Sequence, residues 1–454
     1  MSAARSRAHI TSLSRGFAMQ NVINPRLGRC PVRPIGPSFD QHEPEFAEAA
    51  YEILDATREA ARVSRSEAYG GFWVVTRYED VKAIAHNPEV FSNCDGPAFP
   101  PLGELAVTEM IPITLDPPEL LPYRKLLTPL FSPKVMGRRS EVTDEVCNFL
   151  IDQFVEAGQA DFYEQFASPL TAIVTLRFLG MDATDWEKYT KLTHFTSERG
   201  MFPKLSEEDM AELIPDFMVS FQGFIEEAGA KIAAAEATAP EDRGESLIDR
   251  IADAEIEGEK VSRERLVNIV NNVFQAGFDT TAMAFSTMIY RLGQDRDLQN
   301  LLRENLDRVS DFVEESLRIE SPTTLMLKTA TQDTAIGDVT IRKGDYVLIS
   351  WASANRDPRE FSDPTEFNID RSPQRHTSFG LGVHRCLGSN MARNTLTIGI
   401  TEILRRVTDL RVDPREAILS RACGTVFGYR RLPGTFTPGV REGRHPDDVL
   451  SGPW

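Results

Sequence analysis

Phe379-Gly380-Leu381-Gly382-Val383-His384-Arg385-Cys386-Leu387-Gly388 is the stretch on which the reading of this chain turns. It follows the turn-like Asp370-Arg371-Ser372-Pro373 and leads into a helical pattern running from about Gly388 toward Arg406. Gly380 and Gly382 let the backbone fold tightly and pass close to something flat or bulky. A cysteine just ahead of a helix meets free N–H groups and the positive end of the helix dipole, which favour thiolate over thiol. A soft anionic sulfur in such a cradle suits a single bond to iron. His384 and Arg385 beside it add donors suited to carboxylates. The competing reading is that Cys386 is one more small buried hydrophobe, and Gly-x-Gly alone does not separate the two.

The full spacing does. Phe379, Gly382, His384, Cys386 and Gly388 together resemble the heme-binding loop of the cytochrome P450 family, F-x-x-G-x-[HR]-x-C-x-G. The resemblance implies Cys386 as the axial ligand of a heme b, with Phe379, Gly380 and Gly388 shaping the loop around the cofactor and His384 at a heme propionate.

The rest of the chain bounds this reading. At 454 residues it can bury a large core, and 41% hydrophobic with 26% charged residues is ordinary for a globular protein. No uninterrupted apolar run reaches the roughly 18–20 residues of a membrane helix, so no membrane span is expected. The five cysteines, Cys30, Cys94, Cys147, Cys386 and Cys423, are scattered and odd in number. Neither a disulfide framework nor a zinc site is suggested, and a reducing cytoplasm fits best. Net charge is −18, although residues 1–39 hold six arginines and no acid, leaving −18 − 6 = −24 for the remainder. A body this acidic argues against nucleic-acid binding. Residues 1–39 read as a basic, disordered leader, and residues 40–454 as one domain.

Periodicity places the elements. Glu43 to Arg62 is an amphipathic helix, Phe72–Thr76 a short strand, and Tyr78–Ala85 a helix ended by Asn87-Pro88. From Ser92 to Ile113 prolines interrupt Phe99, Leu102, Leu105, Met110 and Ile111, which makes an apolar loop. Its charges are Asp95, Glu104 and Glu109, with no base to hold an anionic substrate. Helices are expected from Leu115 to Phe131, over 140–157, 166–180 and roughly 206–235, with a mobile connection at Gly200-Met201-Phe202-Pro203. Ser262 to Gln294 is the longest helical pattern. At its middle stands Ala276-Gly277-Phe278-Asp279-Thr280-Thr281. Glycine inside a helix costs about 1 kcal/mol relative to alanine, and a local weakening with an acid and alcohols is an odd way to build a core. Thr280 bonding to a carbonyl one turn back is the plainer alternative.

This segment resembles the family's [AG]-G-x-[DE]-T-T oxygen-activation motif. The resemblance implies that Ala276 and Gly277 open a groove for dioxygen, and that Thr280 and Asp279 assist its activation and deliver protons. Glu315 and Arg318 resemble the E-x-x-R helix, which with Arg371 would form a buried structural triad. Arg124 matches the family's propionate-binding base. Two positions depart from the pattern: Leu120 stands where a histidine is usual, and Lys328 where an arginine is usual. By the same resemblance Phe99, Met110, Phe274, Leu325, Met326, Val426 and Phe427 would line an apolar substrate pocket. The fold expected is mainly α with smaller β-sheets, the single-domain P450 fold. The activity expected is insertion of one oxygen atom from O2 into an apolar substrate, terpenoid or aromatic. Electrons would come from a separate ferredoxin and its NAD(P)H-dependent reductase, docking on a basic patch of Arg124, Lys125, Lys134, Arg138, Arg139, Arg385 and Arg393. A peroxide-driven hydroxylase of the same fold and a non-catalytic heme sensor are the alternatives; neither needs Asp279 with Thr280.

Overall fold

The structure, a computed structural model, describes residues 33–101, 109–197, 207–420, 425–443 and 449–450. Most of the expected leader and the Gly200–Pro203 connection lie outside them. Helices of eight or more residues are α1 (Pro44–Ala60), α2 (Tyr78–Ala85), α3 (Leu120–Leu127), α4 (Ser140–Asp152), α5 (Ser168–Leu179), α6 (Trp186–Ser197), α7 (Glu207–Ala237), α8 (Arg263–Gln294), α9 (Arg296–Glu304), α10 (Val309–Ile319) and α11 (Ser389–Arg406). None is long and apolar enough to cross a membrane.

The long pattern at 262–294 folds as the central helix α8, roughly 48 Å of it at 1.5 Å per residue. Ser262 caps its N-terminus by accepting from Arg265 N. Helix α8 is buried along nearly its whole length, and α5, all of whose residues are buried, crosses it. Two glycines bring its neighbours close. A Cβ on Gly277 would sit 2.8 Å from Thr175 Oγ1 of α5, and one on Gly399 of α11 would sit 2.6 Å from the Phe285 ring. Gly277 therefore serves a close helix crossing, and α8 runs as uninterrupted helix through Ala276–Thr281.

A five-stranded sheet lies to one side, built from β1 (Val63–Ser66), β2 (Phe72–Val75), β3 (Phe91–Ser92), β5 (Leu325–Ala330) and β6 (Tyr346–Ser350), while β4 (Gln159–Asp161) belongs to a second sheet. The order is β1-β2-β6-β5-β3, with β6 parallel to β2 and antiparallel to β5. Met326 pairs with Ile349 and Lys328 with Val347, so these two residues of β5 share one face. The second sheet joins β4 to β7 (Thr408–Val412) and β8 (Pro433–Thr437).

Several elements have no counterpart in the sequence reading, among them β1, β3, β4, β7, β8, α6 and α9. Strand β1, Val63-Ser64-Arg65-Ser66, has too few apolar residues to signal itself. Helix α6 buries Tyr189 and Leu192 three residues apart and packs Trp186 against the core, but most of its other described residues are polar. Helix α7 runs from Glu207 to Ala237, two residues beyond the end expected near 235.

Candidate active site

The Cys386 loop is a folded unit before anything binds it. Gly380 and Gly382 both take φ of 67°. At Gly382 a side chain is excluded as well, because a Cβ would lie 2.2 Å from Ala85 O at the end of α2. Cys386 N donates to Phe379 O (2.8 Å), and Gly380 N to Thr377 O (2.7 Å). The loop passes through a 3-10 turn at Gly382–His384 and enters α11 at Gly388. Cys386 faces a cavity of about 250 Å3 measured to water centres, with Phe379, Gly380, His384, Arg385 and Gly388 around it. Enclosure by protein pushes the thiol pKa up; the Gly388 N–H and the cations Arg124, Arg385 and Arg393 act against this without overcoming it. The helix-end effect expected from the sequence is present as the Gly388 N–H, but it does not bring the thiol pKa below its ordinary value.

Beneath the loop two adjacent acids of α10 do different work. Glu315 and Arg318, both fully buried, share two hydrogen bonds of 2.8 Å. Arg371 Nε adds 3.2 Å contacts to both Glu315 oxygens. The guanidinium of Arg318 also donates to the carbonyls of Asn355, Pro364 and Glu366, and Arg371 to that of Ser362. Burial raises the Glu315 pKa, yet the arginine and backbone donors bring it below the usual range. Glu314 points the other way, holding Arg393 (2.6 Å) and His376 (3.0 Å). Despite burial these partners bring Glu314 down to about 2. Arg393 in turn lies 4.3 Å over the Phe379 ring.

One side of the cavity is cationic. Arg124 from α3, Lys328 from β5 and His384 from the loop all line it. Lys328 is 3% exposed and donates to Asn93 Oδ1. Burial depresses its pKa to about 8, with Asp116 opposing. His384 Nε2 is buried without a hydrogen-bond partner, since Asp116 Oδ1 is 3.6 Å away. Burial lowers the pKa of His384. Asp116 itself accepts from Ser92 Oγ and Asn93 N; burial raises its pKa but its donors hold it lower overall. Leu120 is fully buried in the core and is not part of the wall. Trp351, absent from the sequence reading, lines the wall with an indole N–H that is buried and unpartnered.

On α8, Ala276, Gly277, Thr280 and Thr281 line the cavity. Thr280 Oγ1 donates to Ala276 O at 2.9 Å, the local bond the sequence left open as an alternative. Asp279 is not in the wall. It is buried and pairs with Arg430 through two hydrogen bonds of 3.0 Å. Arg430 also donates to Tyr163 OH and comes from the strand Tyr429–Arg431 near the C-terminus. Its sequence position gave no hint of this.

The expected substrate wall needs correction. Of its seven residues only Met326 lines the cavity. Phe274 stacks on Phe224 of α7 at 4.2 Å, in the core on another face of α8. Phe99 packs against Phe72 (4.7 Å) and Tyr346 (5.4 Å) over the first sheet. Met110 is half-buried outside the wall, and Leu325 lies in the core, alternating with Met326. Val426 and Phe427 back the wall rather than form it. Val426 bridges Thr323, and Phe427 N donates to Pro322 O, both partners lining the cavity. The residues found there instead are Thr171, Val174 and Thr175 of α5 and Asn272 and Val273 of α8, with Pro112 and Ile113 from the described part of the proline-rich loop.

Comparisons with known proteins agree with this arrangement. The family described as Cytochrome P450 matches residues 71–434. Cytochrome P450 109 of Bacillus spizizenii is 30% identical over 85% of this chain and 92% of its own length. Linalool 8-monooxygenase of Pseudomonas putida is 31% identical over 74% of this chain and 82% of its own. Among solved structures, the bacillaene polyketide synthase cytochrome P450 PksS of Bacillus subtilis superposes with a TM-score of 0.77. It is 25% identical and covers 88% of this chain and 100% of that one. Over nearly its whole described length, from the first sheet through the cysteine loop to the C-terminal strands, this chain belongs to the cytochrome P450 family.

Proposed function

We propose that this heme monooxygenase inserts one oxygen atom from O2 into a small-to-medium apolar substrate, drawing electrons from a separate ferredoxin and its NAD(P)H-dependent reductase. The overall balance is substrate, O2, two electrons and two protons giving the hydroxylated product and water. Family membership brings heme as the cofactor, and the residues present suit it. Buried donors of His384 and Trp351 lack partners, and the cations Arg124 and Lys328 face the same cavity. A flat group with two carboxylates and a thiolate-seeking metal answers all of these. Bound there, the heme supplies the redox chemistry that activates dioxygen.

The chain's own residues then divide the work. Cys386 would hold the iron as thiolate. Arg124, Lys328 and His384 would hold the carboxylates, with Asp116 and Asn93 positioning the latter two. Phe379, Gly380 and Gly388 would keep the loop tight beside the cofactor. Ala276 and Gly277 leave room beside Thr280, whose hydroxyl donates to Ala276 O and leaves its oxygen free to accept inside the cavity, and Asp279 is the acid that passes protons from Arg430's side of α8. The observation that carries this reading is that Cys386 and Thr280, 106 positions apart in sequence, open onto one cavity. The names of the relatives, linalool 8-monooxygenase and steroid C26-monooxygenase, support a terpenoid or similar apolar substrate.

For the redox partner, the basic patch is smaller than the sequence suggested. Arg124 faces the cavity, Arg139 is buried against Glu245, and Arg393 is held by Glu314. Arg385 likewise lines the cavity, so Lys125, Lys134 and Arg138 remain as exposed charges that suit an acidic ferredoxin. Five scattered cysteines without a disulfide pattern suit a reducing, cytoplasmic location. The test is spectroscopic and then catalytic. The reduced, carbon-monoxide-bound protein should show the red-shifted Soret band of thiolate ligation, and substrate should be oxidised with NADH and a ferredoxin pair but not with peroxide alone. A Soret band of histidine type in folded protein would sink the assignment, and turnover by peroxide alone would favour the peroxygenase.

A further inference from the structure

The cavity wall contains one carboxamide among its described residues, Asn272. It lies on α8 eight positions before Thr280, and with Ala276 the three recur every four residues along one face. At 1.5 Å per residue the separation along the helix is roughly 12 Å. Asn272 is 7% exposed, and its Oδ1 is buried without a hydrogen-bond partner. An unpartnered buried amide is costly and calls for an explanation.

The protein offers none locally. Val273 and Val174 beside it in the wall are apolar, and the Thr171 hydroxyl is already committed to Ala167 O and Ser168 O, each at 3.1 Å. The cations of the cavity, Arg124, Lys328 and Arg385, come from α3, β5 and the cysteine loop, while α5 and α8 contribute none to the wall. A carboxylate placed at Asn272 would have no counter-charge on these two helices. A neutral hydroxyl needs none. Turning the amide over exchanges its acceptor and donor, and a hydroxyl, which both donates and accepts, satisfies either orientation.

We propose that Asn272 anchors a hydroxyl group of the substrate, so that the enzyme takes a neutral, otherwise apolar alcohol and oxidises it at a carbon remote from that hydroxyl. The inference rests on the monooxygenase reading above and adds to it the polar handle of the substrate and the end of the molecule that reacts. Thr280 marks the reacting end, roughly 12 Å along α8 from the anchor. A single satisfied acceptor in an apolar site corresponds to about tenfold in affinity.

The experiment uses the heme-loaded protein and the low- to high-spin absorbance shift, with matched probes: decan-1-ol against decane, and geraniol against its deoxygenated diene. Wild type should bind each alcohol about tenfold tighter than its hydrocarbon. N272L, close in volume, should lose that preference without weaker hydrocarbon binding, and N272S, which keeps a hydroxyl partner, should retain part of it. Turnover should place oxygen at the end far from the hydroxyl. The proposal is overturned if hydrocarbons bind wild type as tightly as alcohols, if no alcohol shifts the spin state, if N272L or N272S leaves the preference unchanged, or if the hydroxyl-bearing carbon is the one oxidised. Failure of the monooxygenase reading shows itself separately, as loss of the thiolate-type carbon monoxide spectrum in the same wild-type preparation.

Discussion

Lysine at position 328 should make heme retention sensitive to alkali in a way an arginine would not. Lys328 is buried, its hydrogen bond goes to the neutral Asn93 side chain, and burial sets its pKa to about 8. A heme carboxylate brought beside it favours the charged form and raises that value. A group whose pKa rises on binding contributes its full affinity below the free value and loses it as pH climbs toward the bound value. Retention should therefore be flat up to about pH 8 and then weaken by as much as tenfold per pH unit, or about 1.4 kcal/mol, until the bound pKa is passed. K328R keeps its charge throughout and should abolish the slope. K328M should hold heme at pH 7 as poorly as wild type does in alkali. Transfer of heme to excess apomyoglobin, followed in the Soret region across this pH range, measures the loss directly. If K328R keeps the wild-type slope, some other group titrates and the reasoning about Lys328 is mistaken.

Two further substitutions probe the helix that crosses the site. In R430Q the buried Asp279 carboxylate loses its bidentate partner, a loss of about 3–5 kcal/mol of stability, and D279N in the same chain should recover most of it; additive effects in a urea-denaturation cycle would show that the pair is not coupled. In G277A the added methyl meets Thr175 Oγ1 at 2.8 Å, and overpacking of about 1–3 kcal/mol should outweigh the roughly 1 kcal/mol of helix propensity gained. T175A should relieve that penalty, and a stabilised G277A single variant would mean that the crossing is looser than the structure shows.

What the sequence made legible was set by local pattern. The cysteine loop, the Glu315–Arg318 pair and the long helix declare themselves within one segment each, while Arg371 enters only through the family resemblance; the structure brings Arg371 to Glu315. The substrate wall was not legible in the same way: the family resemblance drew it as a set of apolar side chains, a rule that says nothing of which way they face. Phe274 satisfies that rule but stands two residues from Asn272, about 200° around the helix, and stacks on Phe224 and Phe278 in the core. Choosing both Leu325 and Met326 runs into the same geometry on a strand, where successive side chains face opposite ways. The helical period alone would have pointed elsewhere: residues 272, 276 and 280 repeat every fourth position, and Ala276 and Thr280 were already assigned to the cavity. The Arg430 contact was invisible for a different reason, since it joins segments 151 positions apart and nothing in the sequence around Arg430 points to the Asp279 motif. Where a wall is fixed by the faces of helices and strands, polarity at the right phase carries more information than size at the wrong one. Asn272 is such a residue: it sets the one carboxamide among the described wall residues on the face that carries Ala276 and Thr280, where a substrate hydroxyl can meet whichever end of the amide faces the cavity.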